Sequence, residues 1–186
     1  MKQQPYQTHD GFFNTFTKKT INLHAPDVTT IEMEDIAHGL SNICRFGGQT
    51  AEFYSVAQHS VLVWHLIGMG IDKDSIYLKK LALLHDASEA YLGDVVKPLK
   101  NILGNAYTNI EYKFMQSICY KFDVDYGDMD RIKQFDKLAL VLEHNYFFKG
   151  EEKPFADYFN SHENTCWAPT DAKTMYLWHF KETFEI

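Results

Sequence analysis

Hydrophobic positions along this chain recur with a helical period over most of its length and alternate only near its start. Residues 11–24, GFFNTFTKKTINLH, alternate weakly around a central Thr-Lys-Lys-Thr, which predicts a short β-hairpin or an irregular arm. After Pro26-Asp27, the run from Met33 to about Ile43 predicts a helix, and Gly47-Gly48 breaks the pattern. From Tyr54 to about Ile67 the chain is apolar nearly all round before it meets Gly68. A further helix is predicted from Ile76 to Leu92, stopping at Gly93, and then a polar, lysine-bearing loop from Asp94 to Gly104 that contains Pro98. Helices follow from about Tyr107 to Phe122, Met129 to Phe148 and Asp171 to Phe184. Helices that are apolar on every face belong in the middle of a bundle. The pattern predicts an all-α fold with a small N-terminal β arm: a single domain over residues 1–186, with 1–30 as arm or hairpin and 31–186 as helical core.

Composition narrows the functional classes. A chain of 186 residues is long enough for one full hydrophobic core. A formal net charge of −7 and a pI near 5.7, with no run of Lys and Arg, argue against a nucleic-acid polymer as partner. Any phosphate binding must then be local and use a few placed cations. Cys44, Cys119 and Cys166 form no CxxC pair and are odd in number, so neither a disulfide framework nor a thiolate zinc site is expected. The N-terminal MKQQPYQTHDGFF lacks the apolar core of a signal peptide, and no apolar run is long enough to span a bilayer, so a cytoplasmic protein with no membrane partner is expected.

The stretch Leu81-Ala-Leu-Leu-His85-Asp86-Ala-Ser-Glu89 carries the candidate chemistry. An imidazole and a carboxylate among leucines are costly to bury unless something compensates them, and a divalent cation is one such compensation. Two further residues of the same type lie on apolar helix faces. His59 has Ser55, Val56, Leu62 and Val63 as helical neighbours, and Asp136 has Ile132, Ala139 and Leu140. Taken singly, His59 is more often a satisfied core histidine than a ligand, and Asp136 reads also as an exposed acid next to Lys133 and Lys137. Together they form an all-N/O set suited to a hydrolytic divalent cation. Glu89, one turn beyond His85 and Asp86, is placed for acid/base work. Asp94, after Gly93, lies near the mouth of the same site.

The order His59 … His85-Asp86 … Asp136 resembles the HD-domain phosphohydrolase superfamily. The words Arg45-Phe-Gly-Gly, Ser55-Val-Ala-Gln-His59-Ser, His85-Asp-Ala-Ser-Glu89-Ala-Tyr-Leu-Gly-Asp94 and Lys97-Pro-Leu-Lys100 narrow it. They are similar to the branch of bacterial 5′-deoxynucleotidases and phage-type deoxynucleoside triphosphohydrolases. The resemblance covers about Glu34 to Glu143. It implies an HD-domain helical bundle with one divalent transition metal (Mn, Co, Zn, Fe or Ni) on His59, His85, Asp86 and Asp136. It makes Glu89 the acid/base carboxylate and Asp94 a second carboxylate that orders water or the sugar. Arg45 and Lys100 would meet phosphate, Lys97 and Lys133 are further candidates, and Phe46 would border the base pocket. The interval from Ala87 to Phe135 holds no histidine, which argues for one metal rather than two.

The activity implied is metal-dependent hydrolysis of a deoxynucleotide, releasing triphosphate from a dNTP or phosphate from a dNMP. Arg45 and Lys100 suffice for one phosphate, and Lys97 and Lys133 could hold two more, which leans the expectation toward the triphosphate. The alternatives are a catalytically idle HD-fold nucleotide sensor and an alarmone hydrolase. Relatives of this kind are commonly oligomeric, so a homo-oligomer is the expected assembly.

Overall fold

The structure, a computed structural model, describes residues 11–69, 75–150 and 166–185. The N-terminal decapeptide read above for targeting signals lies outside them. The predicted arm is a hairpin: β1 (Phe12–Asn14) pairs antiparallel with β2 (Thr20–Asn22), with Phe13 opposite Ile21. Alternation turns Phe13 and the fully buried Ile21 toward the body and leaves Phe12 outside. The hairpin turn is fastened to the first helix, because the backbone N–H and the hydroxyl of Thr17 both donate to the Asp35 carboxylate at 2.7 Å.

The rest of the described chain is helical: α1 (Met33–Asn42), α2 (Val56–Met69), α3 (Ile76–Leu84), α4 (Glu89–Leu92), α5 (Lys97–Leu103), α6 (Asn105–Lys121), α7 (Lys133–Lys149) and α8 (Pro169–Phe184). The helix that is apolar all round occupies the centre. Every residue from Val56 to Val63 on α2 is buried, and α2 packs against α1, α3, α7 and α8. Three polar groups carried into this core show how such groups are paired. Trp64 Nε1 donates to Thr183 Oγ1 at 2.9 Å, Gln58 Oε1 accepts from the backbone of Trp167 at 2.9 Å, and the Tyr176 hydroxyl donates to the Leu83 carbonyl. Each group therefore escapes the cost of burial without a partner.

Three predicted boundaries are corrected. The helix expected over Ile76–Leu92 is interrupted at His85–Ser88, where Ala87, Glu89 and Tyr91 each bond to the carbonyl three residues back instead of four. This tighter winding superposes side chains at i and i+3, so Asp86 and Glu89 share a face. The expected loop Asp94–Gly104 contains α5, with Pro98 in its first turn, where a missing N–H leaves no bond unmade. The helix expected from Met129 begins at Lys133, because Tyr126–Ile132 forms 3₁₀ turns capped by the Asp125 carboxylate on Gly127 N–H at 2.8 Å.

Among the described residues no helix is long and apolar enough to cross a membrane. Cys44, Cys119 and Cys166 are free thiols.

One half-buried basic cluster stands apart from the rest. The rings of His65 (α2) and His179 (α8) lie 5.1 Å apart beside Trp64, over which Lys79 is placed. Burial, then His179 and Lys79, lower the His65 pKa from 6.5 to about 4. A histidine with a depressed folded pKa takes up a proton more readily when unfolded. Its contribution is therefore intact above pH 6.5, falls as the pH drops toward 4, and stops changing below that. We expect His65→Gln to remove on the order of 2 kcal/mol of the stability lost between pH 6.5 and 4, allowing for screening of the part-exposed ring. Urea titrations across that range measure it, and an unchanged slope would refute the assignment.

Candidate metal centre

His59 lies in the first turns of α2, His85 closes α3, Asp86 opens the tight turn after it, and Asp136 is in the first turn of α7. Their side chains converge. His59 Nε2 is 3.2 Å from His85 Nε2, 3.2 Å from Asp136 Oδ1 and 3.6 Å from Asp86 Oδ2. His85 Nε2 is 3.2 Å from Asp86 Oδ2 and 3.9 Å from Asp136 Oδ1. Ligand atoms bonded at about 2.1 Å to one ion stand roughly 3.0 Å apart in octahedral and roughly 3.4 Å apart in tetrahedral geometry. The measured separations fall around those values. His59, His85 and Asp136 form a group that could bind a metal ion, and Asp86 stands beside both histidines.

The hydrogen bonds on the other ring nitrogens support this fit. His59 Nδ1 lies 2.5 Å from Glu143 Oε1, and His85 Nδ1 lies 2.7 Å from the Ala82 carbonyl oxygen. Both partners are acceptors, so both Nδ1 atoms carry hydrogen, and each Nε2 of a neutral ring turns a lone pair toward the other. Two lone pairs and two carboxylates around one point repel unless a cation lies between them. The same crowding appears in the electrostatics: burial opposes charge on His85, but Asp86 and Asp136 outweigh it and raise its pKa to about 9. Metal-ligating histidines commonly have their second nitrogen fixed by a carboxylate or carbonyl in this way.

Glu143 is the residue that sequence reasoning missed. It is fully buried on α7 and accepts from three groups: Tyr54 Oη at 2.9 Å, Arg45 Nη2 at 2.9 Å and the His59 ring. Burial alone would raise its pKa, but Arg45 and His59 reverse this and hold the carboxyl down at about 2. Tyr54 and Arg45 come together because the chain before α2 doubles back on itself. Arg45 N bonds to Tyr54 O at 2.8 Å, and Cys44 pairs antiparallel with Ser55. The Arg45 guanidinium also comes within 3.7 Å of Asp86, while its buried Nε has no hydrogen-bond partner among the described residues. Arg45 therefore braces the ligand shell and keeps one donor free.

Glu89 lies beyond the ligands and is nearly buried. Its Oε1 accepts from Lys100 Nζ at 3.2 Å, and its buried Oε2 has no partner. Burial, then Asp86 and Asp94, push the Glu89 carboxyl up to about 9 against the pull of Lys100. Asp94 is half-buried, and burial raises it as well, against Arg45. Lys100 is also held by Glu111 at 2.7 Å and sits over the Tyr107 ring, whose buried hydroxyl has no partner.

A groove of about 600 Å³ opens beside His85, Asp86 and Asp136, and Lys97, Glu111, Tyr112, Tyr126, Asp130 and Lys133 are among its walls. Lys133 is mostly exposed and paired with Asp130 at 2.7 Å. Phe46 does not line this groove. It packs against Phe147 and Phe148, with ring centroids 6.1 and 5.4 Å away. The structure thus gathers His59, His85, Asp86, Asp136, Arg45, Glu89, Asp94 and Lys100, sets Lys97 and Lys133 on the groove wall, and puts Phe46 in an aromatic cluster. One signal could have exposed Glu143: it follows Asp136 by seven residues, two helical turns, and so shares its face.

No family model matches the chain. Over 133 residues it is 36% identical to the uncharacterized protein YfdR of Escherichia coli (strain K12), covering 72% of this chain and 70% of the relative. Over 106 residues it is 37% identical to the uncharacterized protein RCAP_rcc00048 of Rhodobacter capsulatus, covering 56% of this chain and 54% of that protein.

Because Glu143 orients His59 without belonging to the ligand set, Glu143→Gln should weaken divalent-metal affinity about 10- to 100-fold while leaving a metal site in place. Competition with a chromogenic chelator measures the change. Wild-type affinity in a folded Glu143→Gln protein would remove Glu143 from the site.

Proposed function

The chain belongs to the family of the Escherichia coli protein YfdR, and we propose that it is a metal-dependent phosphohydrolase of the HD type that cleaves deoxynucleotides, with the monophosphate favoured. The observation that carries this reading is the convergence of His59, His85 and Asp136, with Asp86 beside both histidines and both Nδ1–H groups already committed. The chain order of these residues, with Glu89 and Asp94 following the His-Asp pair, supports assigning them to HD-type chemistry.

A divalent transition metal (Mn, Co, Zn, Fe or Ni) would be held by these four residues and, when bound, supplies Lewis-acid polarisation of a phosphoryl oxygen and lowers the pKa of water. Arg45, fixed by Glu143 and 3.7 Å from Asp86, would offset phosphate charge from behind the ligand set. Glu89, whose carboxyl is pushed up by burial and by Asp86 and Asp94 against Lys100, stands where a carboxyl could pass a proton to a departing sugar oxygen. Asp94 is the second carboxylate available to order water or the sugar. Tyr112, Tyr126, Met115 and Met129 give the groove the apolar surface that a nucleoside needs.

The number of phosphates follows from charge. The groove lining sets two lysines, Lys97 and Lys133, against four carboxylates, Asp86, Glu111, Asp130 and Asp136. A divalent cation would bring that lining to neutrality, leaving no surplus for a chain of phosphates. Lys133 is paired with Asp130, and Lys100 with Glu89 and Glu111. Cations that favour a triphosphate when counted along the sequence are thus mostly offset in space, and a single phosphate fits better.

The test is a product assay across mono- and triphosphates of deoxy- and ribonucleosides with each candidate metal. We expect inorganic phosphate from deoxynucleoside monophosphates. Glu89→Gln should retain metal while turnover falls by about two to four orders of magnitude. No hydrolysis with any metal would sink the proposal, and metal loss in Glu89→Gln would move Glu89 into the coordinating set.

A further inference from the structure

Lys100 and Glu111 lie on successive helices, α5 and α6, and meet across the turn at Gly104. The Lys100 ammonium has two acceptors, Glu111 at 2.7 Å and Glu89 at 3.2 Å, and its side chain is only 18% exposed. Glu111 lines the groove beside His85 and Asp86, whereas Lys100 does not. An anion lying along the groove from the ligand set therefore meets the Glu111 carboxylate before the Lys100 charge. Of the lysines on the groove wall, Lys133 is likewise answered by Asp130, and no carboxylate partner of Lys97 is found among the described residues.

We propose that Glu111 is a specificity-determining residue, which masks Lys100 from the groove and repels the second and third phosphates of a polyphosphate while sparing a single phosphate at the ligand set. The inference rests on the phosphohydrolase reading, and Glu111 takes no part in the chemistry. Its carboxylate would act on whatever extends from the first phosphate. An ester-linked nucleoside, uncharged at that point, pays nothing for its presence, but a phosphoanhydride chain meets like charge at short range. Removing that charge while keeping the side chain's shape should expose Lys100 to the groove and reverse the preference.

Isothermal titration of wild type, Glu111→Gln and Glu111→Asp with inorganic phosphate and with inorganic tripolyphosphate tests this. All titrations use one saturating Mn2+ concentration, so that every protein meets the same anion complexes. Glu111→Gln should bind tripolyphosphate about tenfold more tightly than wild type and phosphate no more than about threefold more tightly, a charge effect of ordinary size for a part-screened carboxylate. Glu111→Asp should keep the wild-type ratio. If Glu111→Gln melts like wild type yet leaves the ratio of the two affinities unchanged, the proposal is overturned. Equal gains for both anions would also overturn it, because they would show a general rise in potential with no dependence on phosphate number. The anion titrations do not depend on turnover. A protein that switches its anion preference but hydrolyses no nucleotide would refute the phosphohydrolase reading. One that hydrolyses monophosphates without switching would refute the role of Glu111.

Discussion

The site depends on a carboxylate that never meets water. Glu143 is buried on α7, and an ion there is tolerable only if its oxygens are filled by donors held in good geometry. Those donors come from separate places: Tyr54 before α2, Arg45 beyond the Phe46–Gly48 turn, and His59 within α2. The pairing of Cys44 with Ser55 brings the first two together, and the packing of α2 on α7 brings the third. Satisfying one buried charge thus fixes the mutual placement of α2, α7 and the segment before α2. The same contacts orient His59 and brace Asp86 through Arg45. Core assembly and ligand placement rest on one set of hydrogen bonds.

The grouping of His59 with His85 and Asp86 was legible in the sequence because polar residues on apolar stripes are expensive to bury, and Asp136, its side chain 42% exposed, joins them from the rim. Glu143 was not, although it lies two turns after Asp136. The hydrophobic pattern of α7 misleads, since Leu138, Leu140 and Val141 are 45%, 44% and 55% exposed and so blur the inward face. The hairpin and the central α2 were legible from alternation and all-round apolarity. The break at His85–Ser88 was not, because no glycine or proline marks it and its bonds differ from helical ones by only one residue. The partners of Lys100 were out of reach for another reason. Glu89 and Glu111 each lie 11 residues away, a spacing that links nothing within one helix and matters only once α4, α5 and α6 are folded against each other.

The site has a firm side and a tuned side. His59 and Asp136 sit on the long helices α2 and α7, where packing over many residues resists displacement. Glu89 stands on the single-turn helix α4, whose place is set by its neighbours. Behind it Gly39 of α1 touches Ala90 so closely that a Cβ on Gly39 would fall 2.7 Å from the Ala90 carbonyl oxygen. α1 is in turn tied to the hairpin through the two Thr17 bonds to Asp35. The N-terminal arm, far from His59 and His85 in sequence, therefore bears mechanically on Glu89 by way of α1 and Ala90. On its other side Glu89 meets Lys100, and through it Glu111. The carboxylate's position and charge are set by two short elements squeezed between α1 and α6, while the ligands are set by the bundle's long helices. Changes in α1, the hairpin or α6 should therefore displace Glu89 and Lys100 before they disturb His59 and Asp136.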